Sequence, residues 1–336
     1  MKKRLKKILP SFIQRNLKKY LVKYQLLIDY YFDYKRYYKY SSTKGLDTEV
    51  KLISEIIKAY HGIEKGLAMS PFRLGFGQDK VVALTHECLR FYNKYPRTNM
   101  QFRYAISVLL EYETVHVAEN FEFAVTTQKA LSDINKIAAE ENIRPSCQLK
   151  YVNGEYFKNT KSEFSHFSNS RKSVRDFSSE NVSINDIKDA IRLATNTPSA
   201  CNRQATKTYV YTDKKQIAKI LAVQNGNRGF GHLVNKLVVI TSDLSAFVNP
   251  YERYQAYIDG GIYTMNLLYA LHYYEIAACT LNCSHTHKID KNMKSVCEIG
   301  SSEVFIAILA CGIPSTEMSV TFSKRNNIEE NCVIFD

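Results

Sequence analysis

The sequence predicts an α+β protein, all-helical in its first part and built on a mixed sheet flanked by helices in its second. Three observations carry that prediction. Apolar residues recur at helical spacing from residue 17 to 138, the period lapses in the polar stretch 144–168, and beyond it short apolar runs alternate with helical patterns. A length of 336 residues is comfortable for two domains, and 45% apolar with 24% charged residues is the composition of a folded chain. The expected divisions are a basic, tyrosine-rich arm (1–46), a helical domain (47–145), a linker (146–167) and a C-terminal domain (168–336).

The arm comes first. Residues 1–44 hold thirteen Lys or Arg against two Asp, so they account for +11 of the formal net charge of +13, and the rest of the chain is nearly neutral. Leu17, Tyr20, Leu21, Tyr24, Leu27, Ile28 and Tyr31 share one helical face, with Lys18, Lys19 and Lys23 off it. Such a helix either lies on an anionic membrane surface or packs its stripe on the rest of the protein. The run "DYYFDYKRYYKY" interleaves aromatic and basic residues as nucleic-acid binders do, but no recognition module surrounds it, so nucleic acid is not the expected partner.

From 47 to 143 four apolar stripes follow: Val50 to Tyr60, Val81 to Tyr92 ended at Pro96, Phe102 to Leu110, and Leu131 to Ala138. Within "HGIEKGL", His61 and Glu64 can share a helical face, as an acid/base pair, as metal ligands or as a structural polar pair, and the last is expected. "GFGQDK" lacks the third glycine and the preceding strand of a dinucleotide loop.

After residue 168 the texture is mixed. "SINDIKDAIRLATN" predicts a helix capped by Ser183. "TYVYT" (208–212), "KLVVIT" (236–241) and "VFIAILACG" (304–312) predict strands, the last two buried on both faces. The helix over 259–276 is apolar nearly all round and needs cover on every side, which a dimer interface would provide.

Eight cysteines without framework spacing, several inside apolar runs, predict reduced thiols in a cytoplasmic protein. No apolar stretch approaches the roughly 18 residues that span a bilayer, and Lys6, Lys7 and Pro10 interrupt any signal-peptide core. "CTLNCSHTH" crowds Cys279, Cys283, His285 and His287 into nine residues, but leads directly into a helix, so no metal is expected there.

Three stretches carry the chemistry. "SRKSVRDF" (170–177) sets Arg171, Lys172 and Arg175 around Ser173, "TPSACNRQ" (197–204) follows one helix later, and "FSKRNNIEE" (322–330) nearly closes the chain. In order and separation they resemble the FMN-binding segments of the nitroreductase family, over about residues 168–336. The resemblance implies a nitroreductase-like fold, a homodimer with each site built from both chains, and FMN as cofactor.

It also implies roles. Arg171, Lys172 and Ser173 would take the phosphate and ribityl chain, and Arg175 the ring near N1 and O2. Ser199, Asn202 and Gln204 would line the flavin from the partner side, with Asn227 at the ring edge, and Lys324 and Arg325 would close on the phosphate. A terminal phosphate dianion calls for several fixed cationic donors, best supplied by arginine. Where the family runs Gly-Leu-Gly-Ser-Cys beside the ring, this chain has "EIAAC". Ala277 then stands at a flavin-facing position, and the side chains of Glu275 and Ala277 are expected to narrow the space over the ring.

The resemblance implies an FMN-dependent oxidoreductase taking electrons from NADH or NADPH and passing them to a second small molecule in the same pocket, with no protein residue obligatory in catalysis. The added helical part resembles nitroreductase-type proteins that accompany bacterial surface-polysaccharide synthesis, which implies an envelope metabolite as substrate and gives the arm a reason to touch the inner face of the membrane. The alternative is a non-catalytic flavin-binding or membrane-tethered interaction protein.

Overall fold

Residues 10–152 and 154–335 are described by a computed structural model of the chain. The basic residues counted at positions 2–7 of the arm lie outside them. Eleven helices and six strands occur among the described residues.

The first helix, α1 (Ser11–Tyr40), is a single 30-residue rod. Its apolar stripe does not pack on the chain: Leu17, Tyr20, Leu21, Tyr24 and Leu27 are all exposed. One ion pair ties it down, from Arg253 Nε to Asp33 at 2.7 Å.

Next comes a bundle of α2 (Glu49–Leu67), α3 (Gln78–Lys94), α4 (Met100–Ala118) and α5 (Val125–Glu140). The expected stripes meet there, in a core that includes Leu52, Ile56, Leu84, Phe91, Phe102, Leu109, Leu131 and Ile134. Thr48 caps α2 and Asn99 caps α4, each side chain accepting from backbone N–H groups of the first turn.

The stretch expected as a linker holds regular structure: β1 (Gln148–Val152), which pairs antiparallel with β6 (Glu317–Thr321) at the far end of the chain, and the start of a short helix, α6 (Phe164–Ser170). A five-residue strand surrounded by polar turns has too weak an alternation to be read without its distant partner. The ladder joins the bundle to the C-terminal segment.

The second half is a three-layer unit. Strands β2 (Thr206–Tyr211), β3 (Lys236–Asp243), β4 (Ala277–Leu281) and β5 (Glu303–Gly312) form an antiparallel sheet in the order β2-β3-β5-β4. Both faces are covered, and the alternation along β3 shows it: Leu237 and Val239 enter one core, Val238 and Ile240 the other. The first core is completed by α8 (Lys214–Val223) and α10 (His287–Cys297), the second by α7 (Ile184–Ala194) and α9 (Gln255–Tyr273). Ser183 caps α7, as its sequence predicts. Where the β3–β5 register shifts past Ile306, that side chain packs over Gly260 of α9, at which an added Cβ would lie 2.6 Å from it.

The last helix, α11 (Ile328–Asn331), is followed by Val333, Ile334 and Phe335, which are exposed and lie outside any helix or strand.

One family glycine finds its explanation here. Glu275 follows α9 at φ 57°, with its N–H donating to the His272 carbonyl and the Ile276 N–H to the Leu271 carbonyl. That is a Schellman C-terminus, whose left-handed residue is ordinarily glycine. Glu275→Gly is predicted to raise stability by about 1 kcal/mol, because the strained left-handed glutamate is relieved. Equilibrium urea unfolding of the two proteins checks it, and an unchanged or lowered stability would contradict it.

Candidate functional site

A cavity of about 850 Å³ opens between the bundle and the sheet unit. Its walls bring together Arg171, Lys172, Ser173 and Arg175 from one end of the second half and Lys324 and Arg325 from the other. The same walls carry Tyr60, His61 and Glu64 of α2, Gln101 of α4, and Met265 and Tyr269 of α9.

The basic stretch is held by its flanks. Ser170 Oγ lies 2.7 Å from Nε2 of the fully buried His272. The Tyr156 hydroxyl donates to the Lys172 carbonyl at 2.9 Å, and the Lys172 N–H donates to the tyrosine hydroxyl oxygen at 3.1 Å. Val174 donates its N–H to the Ala278 carbonyl, which fastens the stretch to β4.

The C-terminal basic pair is held by the bundle. After β6, the Phe322 N–H continues the ladder to the Cys147 carbonyl, and Ser323 then turns the chain at φ 52°. Ser323 donates its N–H to the Tyr104 hydroxyl at 3.2 Å and its own hydroxyl to Glu64 at 3.3 Å. The Gln101 amide donates to the Lys324 carbonyl at 3.1 Å and to Asn326 Oδ1 at 2.5 Å. Lys324 and Arg325 reach the cavity because residues of α2 and α4 put them there.

None of Arg171, Lys172, Arg175, Lys324 and Arg325 pairs with a carboxylate among the described residues. Arg175 is only 7% exposed, and Nε of both Arg171 and Arg175 is buried without a hydrogen-bond partner. Burial pushes the Lys172 ammonium down from its ordinary pKa, and the neighbouring Arg171 and Arg325 add to the effect. Lys65 is lowered too, by burial and then by Arg175. Glu64 is the one carboxylate on the cavity wall among the described residues, and it is already engaged by Tyr104, His61 and Ser323. Unneutralised, partly desolvated cations with idle donors are the residues a polyanionic group requires.

The other expected contacts lie elsewhere. Ser199 and Gln204 border a second cavity of about 270 Å³ with Asp259 and Tyr263, while Asn202 is exposed. Cys201, Asn202 and Gln204 all have φ of 52–53°, in a tight turn that presents polar groups outward. Asn227 turns inward: its amide donates to the Leu221 carbonyl at 2.7 Å and the Gln224 carbonyl at 2.8 Å, closing its own loop away from the large cavity. Ala277 is fully buried in β4 and off the cavity wall, where Thr280 stands instead, and Glu275 is exposed at the end of α9. The expected narrowing over the ring by these two side chains is therefore not found on this cavity.

His285 packs edge-on to Phe305, with both ring nitrogens buried and unpartnered, and burial lowers its pKa. Among the described residues no group of three or more His, Cys, Asp or Glu could hold a metal.

Sequence reasoning missed His272, Tyr156, Tyr104 and Gln101. The first sits inside an apolar helical run, and a histidine there was the available signal. The others act through partners far away in the chain, Tyr156 on Lys172, Tyr104 on Ser323 and Gln101 on Lys324.

Residues 169–227 match the model of the Nitroreductase family. Among solved structures, the chain is similar to an FMN-dependent nitroreductase from Clostridium difficile R20291 (16% identity, 51% of this chain and 97% of that one, TM-score 0.43). It is similar also to a nitroreductase family protein from Clostridium novyi NT (17% identity, 46% and 86%, TM-score 0.41). A third is an enone reductase of gut-bacterial fatty acid saturation metabolism (16% identity, 53% and 100%, TM-score 0.47). No curated protein matches the chain.

His272 gives the site a pH signature. Burial, with Arg171 nearby, lowers its pKa from 6.5 to about 4. The unfolded chain therefore binds a proton below pH 6.5 that the folded chain refuses until about pH 4, so this contribution to stability is complete above 6.5 and lost as pH falls toward 4. His272→Gln is predicted to flatten that dependence: the stability gap between wild type and variant narrows by roughly 3 kcal/mol from pH 7 to pH 4. Urea unfolding across that range measures it, and a pH-independent gap would contradict the assignment.

Proposed function

We propose that the second half of this chain, which carries a nitroreductase-family segment, binds FMN in the large cavity and acts as an NAD(P)H-dependent oxidoreductase on a small molecule. The observation that carries the reading is the convergence of Arg171, Lys172, Arg175, Lys324 and Arg325 on one space with no carboxylate partners among the described residues. The volume suits a cofactor of that size.

Bound there, FMN would supply two-electron transfer between a nicotinamide and a second acceptor, the two using one pocket in turn. The chain's own residues bind and orient. Arg171, Lys172, Ser173, Lys324 and Arg325 would grip the phosphate end, the arginines with planar donor forks. Arg175, the most buried cation of the set, would set positive charge beside the ring, favouring negative charge on it. Tyr269 and Met265 would wall the opposite side and exclude water.

A homodimer completes the proposal. Ile258, Ile262 and Met265 form an exposed apolar stripe on α9 that continues into Tyr269 at the cavity wall. A second copy covering that stripe would border the cavity and could offer the outward turn with Ser199, Asn202 and Gln204. The exposed tail Val333–Phe335 would find its cover in the same way.

For α1, whose exposed apolar residues have no cover among the described residues, the inner face of an anionic membrane is the proposed surface. No helix among the described residues is long and apolar enough to cross a membrane. A surface-polysaccharide metabolite as acceptor remains a proposal carried by the likeness in domain arrangement alone.

Two outcomes are expected. The purified chain carries the absorbance of oxidised flavin, and the double variant Arg171→Ala, Arg325→Ala loses at least nine-tenths of it at equal protein concentration; a colourless wild type that refuses added FMN would overturn the reading. Full-length protein sediments with vesicles containing phosphatidylserine and is released by salt, whereas a chain lacking residues 1–44 stays in solution. Equal sedimentation of the two would remove the membrane from the account.

A further inference from the structure

The bundle is not needed to hold a flavin phosphate through Arg171 and Lys172, yet it puts a histidine on the cavity wall. His61 Nδ1 lies 2.7 Å from Oε1 of Glu64, whose side chain is 1% exposed, while the His61 side chain is 44% exposed. Glu64 is fixed from two further sides, by the Tyr104 hydroxyl at 2.8 Å and the Ser323 hydroxyl at 3.3 Å. An ionised carboxylate only accepts hydrogen bonds, so Nδ1 carries the proton in the neutral ring, and Nε2 is the nitrogen left for the cavity. Carboxylate, imidazole and open space in that order form the arrangement by which a buried acid orients a proton-transfer group.

We propose that His61 is the proton donor to the acceptor reduced in this cavity, and that Glu64 is its positioning residue. The proposal rests on the flavin reading of the site. An acceptor reduced by two electrons takes up two protons in all. One comes with the electron pair, delivered from the nicotinamide by way of the cofactor; the other needs a donor. The Nε2–H bond of the His61 imidazolium breaks as a new bond to hydrogen forms on the acceptor. The neutral imidazole keeps its Nδ1 proton on Glu64, and solvent through the cavity mouth restores the one given up. The helical part thereby gains a chemical role, because it supplies both the proton donor and the grip on Lys324 and Arg325.

The test uses the full-length, flavin-loaded protein with two probes. Benzoquinone takes two electrons and two protons, whereas ferricyanide takes one electron and no proton. His61→Gln is expected to lower the ratio of benzoquinone to ferricyanide turnover by about 100-fold, within the usual range for general acid catalysis, with flavin content retained. Nitrogen-15 NMR of the imidazoles supplies a reading independent of turnover: neutral His61 is protonated at Nδ1 in the wild type, and Glu64→Gln, which keeps the shape and an acceptor for Tyr104, gives a mixture of tautomers. A flavin-loaded His61→Gln protein with an unchanged ratio, or a wild-type His61 protonated at Nε2 instead, overturns this proposal alone. A wild type that binds no flavin overturns the parent reading with it.

Discussion

Five cationic side chains meet at one cavity, none of them paired with a carboxylate among the described residues, and the surrounding structure holds them there. Left free, such side chains would spread into solvent. Here Ser170 is fixed by His272, Lys172 by the Tyr156 hydroxyl through its backbone, and the Lys324–Arg325 pair by Gln101, Tyr104 and Glu64. The lowered pKa of Lys172 and the unpartnered Nε atoms of Arg171 and Arg175 support the proposed reading of a set of donors prepared before its anion arrives.

That constraint explains why the two halves of the chain are interlocked. β1 and β6 are separated by about half the sequence, and their pairing delivers the C-terminal basic pair to a wall shared with α2 and α4. The bundle therefore does not hang from the sheet unit as an appendage. Its buried Glu64 joins the segment that carries Lys324 and Arg325 to His61, so the anion grip and the proposed proton donor depend on the same carboxylate.

Much of this was legible in the sequence, and the reasons differ by element. β3 and β5 read directly because both faces are apolar, and the bundle helices read because each buries a single stripe. The cations at both ends of the second half could be named because their segments, in order and separation, resemble the FMN-binding segments of the nitroreductase family. Long-range pairing was not legible: β1 lay inside what looked like a linker, and α1 was readable as a helix while its exposure was not. Asn227 shows the limit most clearly, because an amide satisfied by the Leu221 and Gln224 carbonyls has the same letter as one offered to a ligand. Glu275 shows it again, since the rarity of glutamate at a left-handed position appears only once the end of α9 is seen.

The central claim is that the cavity is built around a phosphate, and calorimetry of FMN against riboflavin binding to the full-length protein tests it most directly. The two ligands share the ring and ribityl chain and differ only in that group. The account predicts that FMN binds at least about 100-fold more tightly, as several charge-assisted hydrogen bonds imply. Equal affinity for the two would mean that the five cations await some other anion.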